Sequence, residues 1–119
     1  MRYLLDTSVI VADAGEVSEP WAVSVVTVGE LEHGILAAKG DAVRARRVAK
    51  LAALLSLAPA LPIDRAAAAS YGELRQASGR QPSNDLWIAA TALAHGLTLV
   101  TADETQAALP LVSAELLAP

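Results

Sequence analysis

The stretch Tyr3-Leu4-Leu5-Asp6-Thr7-Ser8 decides the fold of this 119-residue chain. Its apolar run ends in a carboxylate, which is typical of a buried strand that carries an acid at its carboxyl end. Thr7 and Ser8 then open a helical pattern. In open parallel α/β sheets, ligands bind outside the carboxyl ends of the strands. We therefore expect Asp6 to lie at the functional edge of a sheet.

The rest of the chain alternates short apolar strands with helical stretches. Strands are expected at residues 3–6, 22–26, 61–63, 97–100 and 111–113, and a polar loop at 15–20. Helices are expected at residues 8–14, from 27 up to Gly40, at 41–57, from 65 to about 78, from the start signature Pro82-Ser83-Asn84-Asp85 to Ala94, and briefly after Asp103. This alternation predicts an α/β fold with three layers, α/β/α, around a mostly parallel central sheet, and residues 1–119 are expected to form a single domain.

The composition limits the classes of function. Hydrophobic residues make up 54% of the chain and aromatic residues only 3%, so alanine, leucine and valine form the expected core. The absence of cysteine excludes disulfides, thiolate metal sites and cysteine nucleophiles. No apolar span approaches the roughly 18 residues of a membrane helix, and the charged residues Arg2 and Asp6 come too early for a signal peptide. A cytoplasmic protein without a membrane partner is the expectation.

The net charge of −4 argues against attraction of nucleic acid to the whole surface. A nucleic-acid enzyme remains compatible with this charge if the negative groups are concentrated in a pocket that a divalent cation neutralises. The basic residues are unevenly placed, and a basic cluster is formed by Arg44, Arg46, Arg47 and Lys50. This cluster is either a solvated helix face or a contact for an RNA backbone or an acidic partner.

Four acids are expected to converge at one edge of the sheet. Asp6 and Asp103 follow apolar strands, while Glu30 and Asp85 lie in the predicted first turns of two helices. Right-handed crossovers place all carboxyl ends of the strands on one edge. Helices packed on a parallel sheet run antiparallel to the strands, so their first turns lie near that same edge.

Carboxylates held at close range repel one another strongly, and either protons or a cation must compensate them. Hard divalent cations prefer oxygen ligands, and Mg²⁺ takes one or two carboxylates and keeps several waters. A site of this kind suits phosphodiester hydrolysis, because the ion polarises the phosphate and activates water.

Each acid except one also has an ordinary structural explanation. Thr27-x-x-Glu30 fits a capping box, in which the glutamate satisfies a backbone N–H. Asp85 could complement a helix dipole, and Asp103 could be an N-cap. Asp6 lacks an obvious capping role, so the joint placement of the four acids favours a site.

Other chemistries have less support in the sequence. Glu30-x-x-His33 has the spacing of a di-iron ligand pair, but that architecture needs a second such motif and further glutamates on a helical bundle. The chain lacks the G-x-S-x-G elbow of serine hydrolases and the common glycine-rich phosphate loops.

Four motifs, in order along the chain, resemble the PIN-domain ribonucleases, and most closely the VapC-type toxins of bacterial toxin–antitoxin pairs. The motifs are Tyr3-Leu4-Leu5-Asp6-Thr7-Ser8, Ser24-Val25-Val26-Thr27-Val28-Gly29-Glu30-Leu31-Glu32-His33-Gly34, Asn84-Asp85-Leu86-Trp87-Ile88-Ala89-Ala90-Thr91-Ala92-Leu93 and Leu99-Val100-Thr101-Ala102-Asp103. Together they span almost the whole chain, so the resemblance implies a PIN-like fold.

The resemblance also implies a metal-dependent endoribonuclease with Mg²⁺ or Mn²⁺ as cofactor. The implied metal and catalytic residues are Asp6, Glu30, Asp85 and Asp103. Thr101 would hydrogen-bond an acid or a metal water. The implied partners are an RNA substrate, a second copy of the chain in a homodimer, and a cognate antitoxin whose tail lies across the toxin and covers the acidic site.

The sequence departs from the family pattern at three places. Ala102 stands where relatives often carry a polar or basic residue, no aromatic residue follows Asp103, and Gly29 replaces a better helix former. These departures concern a second metal position and the choice of substrate. The alternatives are another acidic-pocket phosphoesterase, a DNA nuclease, or a degenerate domain that only binds a partner.

Overall fold

Five parallel strands form the centre of the computed structural model, which describes residues 1–13, 17 and 19–117. The strands are β1 (Tyr3–Leu5), β2 (Trp21–Ser24), β3 (Ala60–Leu61), β4 (Thr98–Thr101) and β5 (Ala114–Leu116). The helices are α1 (Thr7–Ala12), α2 (Val25–Leu36), α3 (Asp41–Leu57), α4 (Arg65–Ser78), α5 (Ser83–Ala94) and α6 (Glu104–Ala107). The predicted alternation of strands and helices is confirmed.

The strand order is β3-β2-β1-β4-β5, and every neighbouring pair is parallel. Leu4 of the central strand β1 is in register with Ala22 of β2 on one side and with Leu99 of β4 on the other. The chain first builds outward from β1 to β3, and then returns to add β4 and β5 on the opposite side. The sheet therefore has a topological switch point between β1 and β4, where open α/β folds bind their ligands.

Successive strand residues point to opposite faces of the sheet, so each face is covered by its own helical layer. One core cluster includes Leu4, Ala22, Leu74, Leu86 and Leu99. The cluster on the other face includes Leu5, Val9, Val23, Leu54 and Val100. Helix α5 contributes a run of buried residues from Ile88 to Ala92, in keeping with its apolar sequence. The predicted three-layer α/β/α architecture is confirmed.

Several boundaries differ from the sequence prediction. Helix α2 begins at Val25, two residues earlier than expected, because the Ser24 hydroxyl caps it by accepting the N–H of Val26 at 3.0 Å. Strand β5 begins at Ala114 and not at 111, because Leu111 has a left-handed backbone with φ of 70° that a strand does not contain. The expected helix end at residue 14, and residues 15, 16 and 18 of the expected loop, lie outside the described residues.

Helix α3 is the longest helix in the described part of the chain, with 17 residues. It buries Leu51 and Leu54 and carries the basic cluster. None of the helices formed by the described residues combines the length and the apolar character that crossing a membrane requires.

Candidate active site

Asp6 lies directly after β1, at the switch point of the sheet. Its backbone N–H donates to the carbonyl oxygen of Val100 at 2.8 Å, which holds Asp6 against β4. Asp6 occupies the N-cap position of α1, but its side chain makes no capping hydrogen bond. The residue is only 4% exposed. The Asp6 carboxylate therefore reaches the edge of the sheet without a structural role in starting the helix.

The two oxygens of Asp6 have different surroundings. The hydroxyls of Ser8 and Thr101 both donate to Oδ2, at 2.6 and 2.9 Å. Each hydroxyl in turn accepts a backbone N–H, from Ala102 at 3.0 Å and from Asp103 at 3.1 Å respectively. No described residue donates to Oδ1. Because no enclosed side-chain oxygen or nitrogen in the described residues lacks a partner, Oδ1 is in contact with solvent.

We expect Ser8→Ala to lower the free energy of unfolding by about 1–3 kcal/mol, because it leaves the partly buried Ala102 N–H without an acceptor. Urea denaturation followed by circular dichroism measures the change. Ser56→Ala is the matched control, since the exposed Ser56 hydroxyl donates only to a carbonyl of its own helix. Equal stability of the two variants would contradict the role given to Ser8.

Glu30 lies in the second turn of α2, and the capping-box explanation of this residue is wrong. The helix starts at Val25 with Ser24 as its cap, so Thr27 is already inside the helix and cannot act as the N-cap. The Glu30 Oε1 atom instead accepts the Thr7 hydroxyl at 2.8 Å. The Thr7 hydroxyl also lies 2.9 Å from the Thr27 hydroxyl. Glu30 is thus joined to the start of α1, next to Asp6.

Asp85 lies in the first turn of α5, as expected, and it is partly buried. Burial raises the pKa of the Asp85 carboxyl above its ordinary value, and the charges of Asp6, Asp103 and Glu30 raise it further. All three of the other predicted acids therefore act electrostatically on Asp85. The structure brings the four predicted acids into one electrostatic group.

Asp103 caps α6, as one of the structural explanations proposed. Its Oδ1 accepts the backbone N–H groups of Thr105 at 2.8 Å and Gln106 at 3.4 Å. The Oδ2 atom accepts no hydrogen bond from the described residues, so capping leaves one carboxylate oxygen for other contacts. The buried Gln106 side chain donates from Nε2 to the backbone carbonyl of Asp85 at 2.7 Å. This contact ties the segment that carries Asp103 to the start of α5.

The donor chemistry of these acids fits a hard divalent cation. The ion pairs that the described residues form are Arg2–Glu19, Arg44–Asp41 and Lys50–Asp13, and none of them involves the four acids. As the side chains lie, no three acids in the described residues are close enough together to ligate one ion directly. An ion such as Mg²⁺ keeps several waters and needs one or two carboxylates, so the more distant acids can reach it through water.

Three residues of the basic cluster, Arg44, Arg47 and Lys50, make hydrogen bonds to other parts of the chain. Arg44 donates to the carbonyl oxygens of Ile35 at 3.3 Å and Ala38 at 3.0 Å. Arg47 donates to the carbonyl oxygen of Gly34, and Lys50 pairs with Asp13 at 2.9 Å. These contacts connect α3 to α2, to Ala38 and to Asp13, while Arg46 and Arg47 are exposed. A contact of the cluster with RNA or with an acidic partner stays a prediction.

Sequence reasoning missed several polar residues of this site. Thr7 and Ser8 contact the side chains of two acids, Gln106 contacts the backbone of Asp85, and Thr27 contacts the Thr7 hydroxyl. The sequence offered a clue to Thr7 and Ser8, because both directly follow an acid at the end of a strand. Thr27 and Gln106 had no such signal, since their contacts depend on how separate elements pack.

Comparisons with known proteins agree with this geometry. The family model described as PIN domain matches residues 3–111. The chain is 41% identical to Ribonuclease VapC4 of Mycobacterium tuberculosis (strain ATCC 25618 / H37Rv) over 120 residues, covering 92% of each protein. It is 39% identical to Ribonuclease VapC5 of the same strain over 117 residues, covering 89% of this chain and 86% of that protein.

A solved structure also matches over nearly the full length. The crystal structure of VapBC-5 from Mycobacterium tuberculosis, a member of the VapBC family of toxin–antitoxin systems, aligns with a TM-score of 0.83 and 39% identity, covering 99% of this chain and 98% of that one. The fold, the family model and the sequence identities point the same way. The chain belongs to the PIN-domain family and, within it, to the VapC-type proteins.

Proposed function

We propose that this protein is a divalent-metal-dependent endoribonuclease, the toxin of a type II toxin–antitoxin system. The observation that carries the proposal is the group of four acids at the switch point of the sheet, which raises the pKa of Asp85 and has no ion pair to a cationic side chain of the described residues. The ribonuclease names of the relatives at 41% and 39% identity support RNA as the substrate.

The four acids have distinct roles in the proposed reaction. Asp6 and Asp85 would hold the principal ion, either Mg²⁺ or Mn²⁺, and Asp103 would support it. Glu30 would bind the ion or orient the attacking water. When bound, the ion supplies Lewis acidity toward the scissile phosphate and lowers the pKa of water. Hydrolysis transfers hydroxide from water to phosphorus, breaks one P–O ester bond and leaves a proton for the departing sugar oxygen.

The hydroxyls around Asp6 prepare this residue for its role. Ser8 and Thr101 occupy Oδ2 and fix the plane of the carboxylate, so that Oδ1 is the oxygen directed to solvent. Thr101 acts on the metal through Asp6 in this scheme. Fixed outer contacts of this kind orient metal ligands and increase affinity for the ion.

The proposal includes a cognate antitoxin as partner. The VapBC-5 structure, described as a member of a toxin–antitoxin family, supports this. A groove of about 450 Å³ runs next to the acidic site, and its lining residues include Thr7, Val11, Glu30, Leu31, Arg47 and Leu51. A peptide segment in this groove would reach Glu30. An arginine at its end would place a positive charge where the ion binds.

Three further features belong to the same proposal. The chain acts as a homodimer, as the resemblance to the VapC-type toxins implies, and it is located in the cytoplasm. Residues 1–119 form one PIN domain, which the family match over residues 3–111 supports.

We expect excess EDTA to abolish RNA cleavage by the purified protein, and added Mn²⁺ or Mg²⁺ to restore it, because the carboxylates alone supply no Lewis acid to polarise the phosphate. The measurement is gel analysis of RNA, single-stranded DNA and a generic phosphoester in parallel, with and without metal. Cleavage that persists in EDTA would contradict the metal requirement. A preference for DNA or for the simple ester would identify one of the alternative enzymes, and a lack of Mn²⁺ binding by calorimetry, with partner binding intact, would favour a non-catalytic domain.

A further inference from the structure

Two threonine hydroxyls connect Glu30 with the beginning of α1. The Thr7 hydroxyl donates to Glu30 Oε1 at 2.8 Å, and the Thr27 hydroxyl lies 2.9 Å from the Thr7 hydroxyl. Thr27 is 0% exposed, so its hydroxyl has no contact with water. A buried hydroxyl needs a hydrogen-bond partner, and Thr7 is the partner that the structure gives it.

The direction of these hydrogen bonds follows from counting protons. A threonine hydroxyl has one proton and can accept further hydrogen bonds. The Thr7 proton is used in the bond to Glu30, so the proton between the two threonines must come from Thr27. The chain of donors therefore runs from Thr27 through Thr7 to Glu30. The hydrogen bond that Thr7 accepts from Thr27 polarises the Thr7 hydroxyl, and this strengthens the hydrogen bond that Thr7 donates to Glu30.

Thr27 does not use its hydroxyl as helical threonines usually do. Such hydroxyls commonly donate to the backbone carbonyl four residues earlier. Thr91 of α5 does this, donating to the Trp87 carbonyl oxygen at 2.8 Å, and it is buried to the same extent as Thr27. The Thr27 hydroxyl is instead directed to another helix, toward a residue adjacent in sequence to Asp6.

We propose that Thr27 is a positioning residue for the metal site, acting through Thr7 to fix the Glu30 carboxylate relative to Asp6. The inference rests on the proposed metal-dependent function. Thr7 directly follows Asp6 in the chain. A hydrogen bond from Thr7 to Glu30 therefore sets the distance between Asp6, at the end of β1, and Glu30, on α2. It also occupies Oε1 with a donor, and leaves Oε2 as the oxygen available to the ion or its water.

The first test removes the hydroxyl without changing the size of the side chain. We expect Thr27→Val to weaken Mn²⁺ binding about 10-fold, at the low end of the effect of lost outer contacts on metal affinity, and to reduce RNA cleavage at limiting Mn²⁺ by a similar factor. Thr27→Ser, which keeps the hydroxyl, is expected to restore both to within about twofold. Thr91→Val is the matched control and should bind Mn²⁺ like the unmodified protein. Isothermal titration calorimetry without RNA measures affinity, and thermal unfolding shows that each variant is folded.

A double-mutant cycle distinguishes positioning from packing. If Thr27 acts through Thr7, then Thr27→Val in a Thr7→Val background should change Mn²⁺ affinity by less than about twofold. Independent effects that multiply in the double variant would overturn the proposal. Unchanged Mn²⁺ affinity in Thr27→Val would also overturn it. Should Thr27→Val not fold, Thr7→Val alone decides, because the proposal requires that removing the direct donor to Glu30 weakens Mn²⁺ binding.

The outcome separates this inference from the proposed function. An unmodified protein that binds Mn²⁺ and cleaves RNA, with a Thr27→Val variant that equals it, contradicts only the role of Thr27. An unmodified protein that binds no Mn²⁺ contradicts both.

Discussion

Asp6→Asn is expected to abolish RNA cleavage, with a loss of at least about 10³-fold, while the protein stays folded. The amide keeps one oxygen that can accept the hydroxyls of Ser8 and Thr101, so the contacts that hold this position survive. What is lost is the charge, and the group now directed to solvent is an NH₂ donor. An ion prefers oxygen ligands, and an NH₂ group at this place repels it.

The measurement is single-turnover cleavage of RNA at saturating Mn²⁺, with thermal unfolding of the same preparation. The unfolding midpoint should change by only a few degrees, since no buried partner is left unpaired. Asp41→Asn is a suitable control, because Asp41 is an exposed acid at the start of α3, outside the acidic site. A folded Asp6→Asn variant that cleaves RNA at the rate of the unmodified protein would remove Asp6 from the proposed mechanism.

Asp85→Asn is expected to abolish cleavage and, at the same time, to stabilise the metal-free protein. Burial and the charges of Asp6, Asp103 and Glu30 raise the pKa of Asp85 above its ordinary value of 3.8. A carboxyl with a raised pKa binds more protons in the folded state than in the unfolded state. The stability of the folded state therefore falls as pH rises from the unfolded-state pKa through the folded-state pKa, and above that range the loss is complete.

The side chain of the Asp85→Asn variant does not ionise, so the variant does not lose stability in this way as pH rises. In EDTA at pH 7 we expect its melting temperature to exceed that of the unmodified protein by roughly 2–5 °C, the effect of about 1 kcal/mol in a domain of this size. The expected difference in melting temperature is small because Asp85 keeps some contact with solvent, which screens the repulsion between the acids. The difference should shrink as pH falls and disappear below about pH 3.8, where the carboxyl is protonated in both states.

Differential scanning fluorimetry across pH, with EDTA or with Mn²⁺, tests both parts of this prediction. Saturating Mn²⁺ should raise the melting temperature of the unmodified protein more than that of Asp85→Asn, because binding to the folded state stabilises it. A variant that is less stable than the unmodified protein in EDTA at pH 7 would contradict the electrostatic grouping of the four acids.

The layers of the fold were predictable because the apolar strands and helical patterns are short and alternate along the chain. The order of the strands was not predictable, since adjacent positions in the sheet pair residues far apart in sequence, such as Leu4 with Leu99. The start of α2 was misplaced because Val25 and Val26 are β-branched and continue the pattern of β2. The Ser24 cap ends the strand there, and its effect outweighs that preference.

The acids of the candidate site were predictable from their places at the ends of strands and the starts of helices. Their supporting hydroxyls were harder to predict. Thr27 reads in sequence as the first residue of a capping box, and only the folded chain shows that its hydroxyl points to Thr7. No sequence pattern points to Gln106, because its hydrogen bond to the Asp85 carbonyl depends on how the fold places α6 beside the start of α5.

The pairing of β1 with β4 has a consequence for synthesis on the ribosome. The Thr101 hydroxyl that fixes Asp6 belongs to a residue 95 positions later in the chain. Domains emerge from the amino terminus first, at about 5–20 residues per second. While β4 is still inside the ribosome, Asp6 lacks its contact with Thr101, and the acidic pocket is not assembled. Translation therefore delays assembly of the acidic pocket until β4 has left the ribosome and paired with β1.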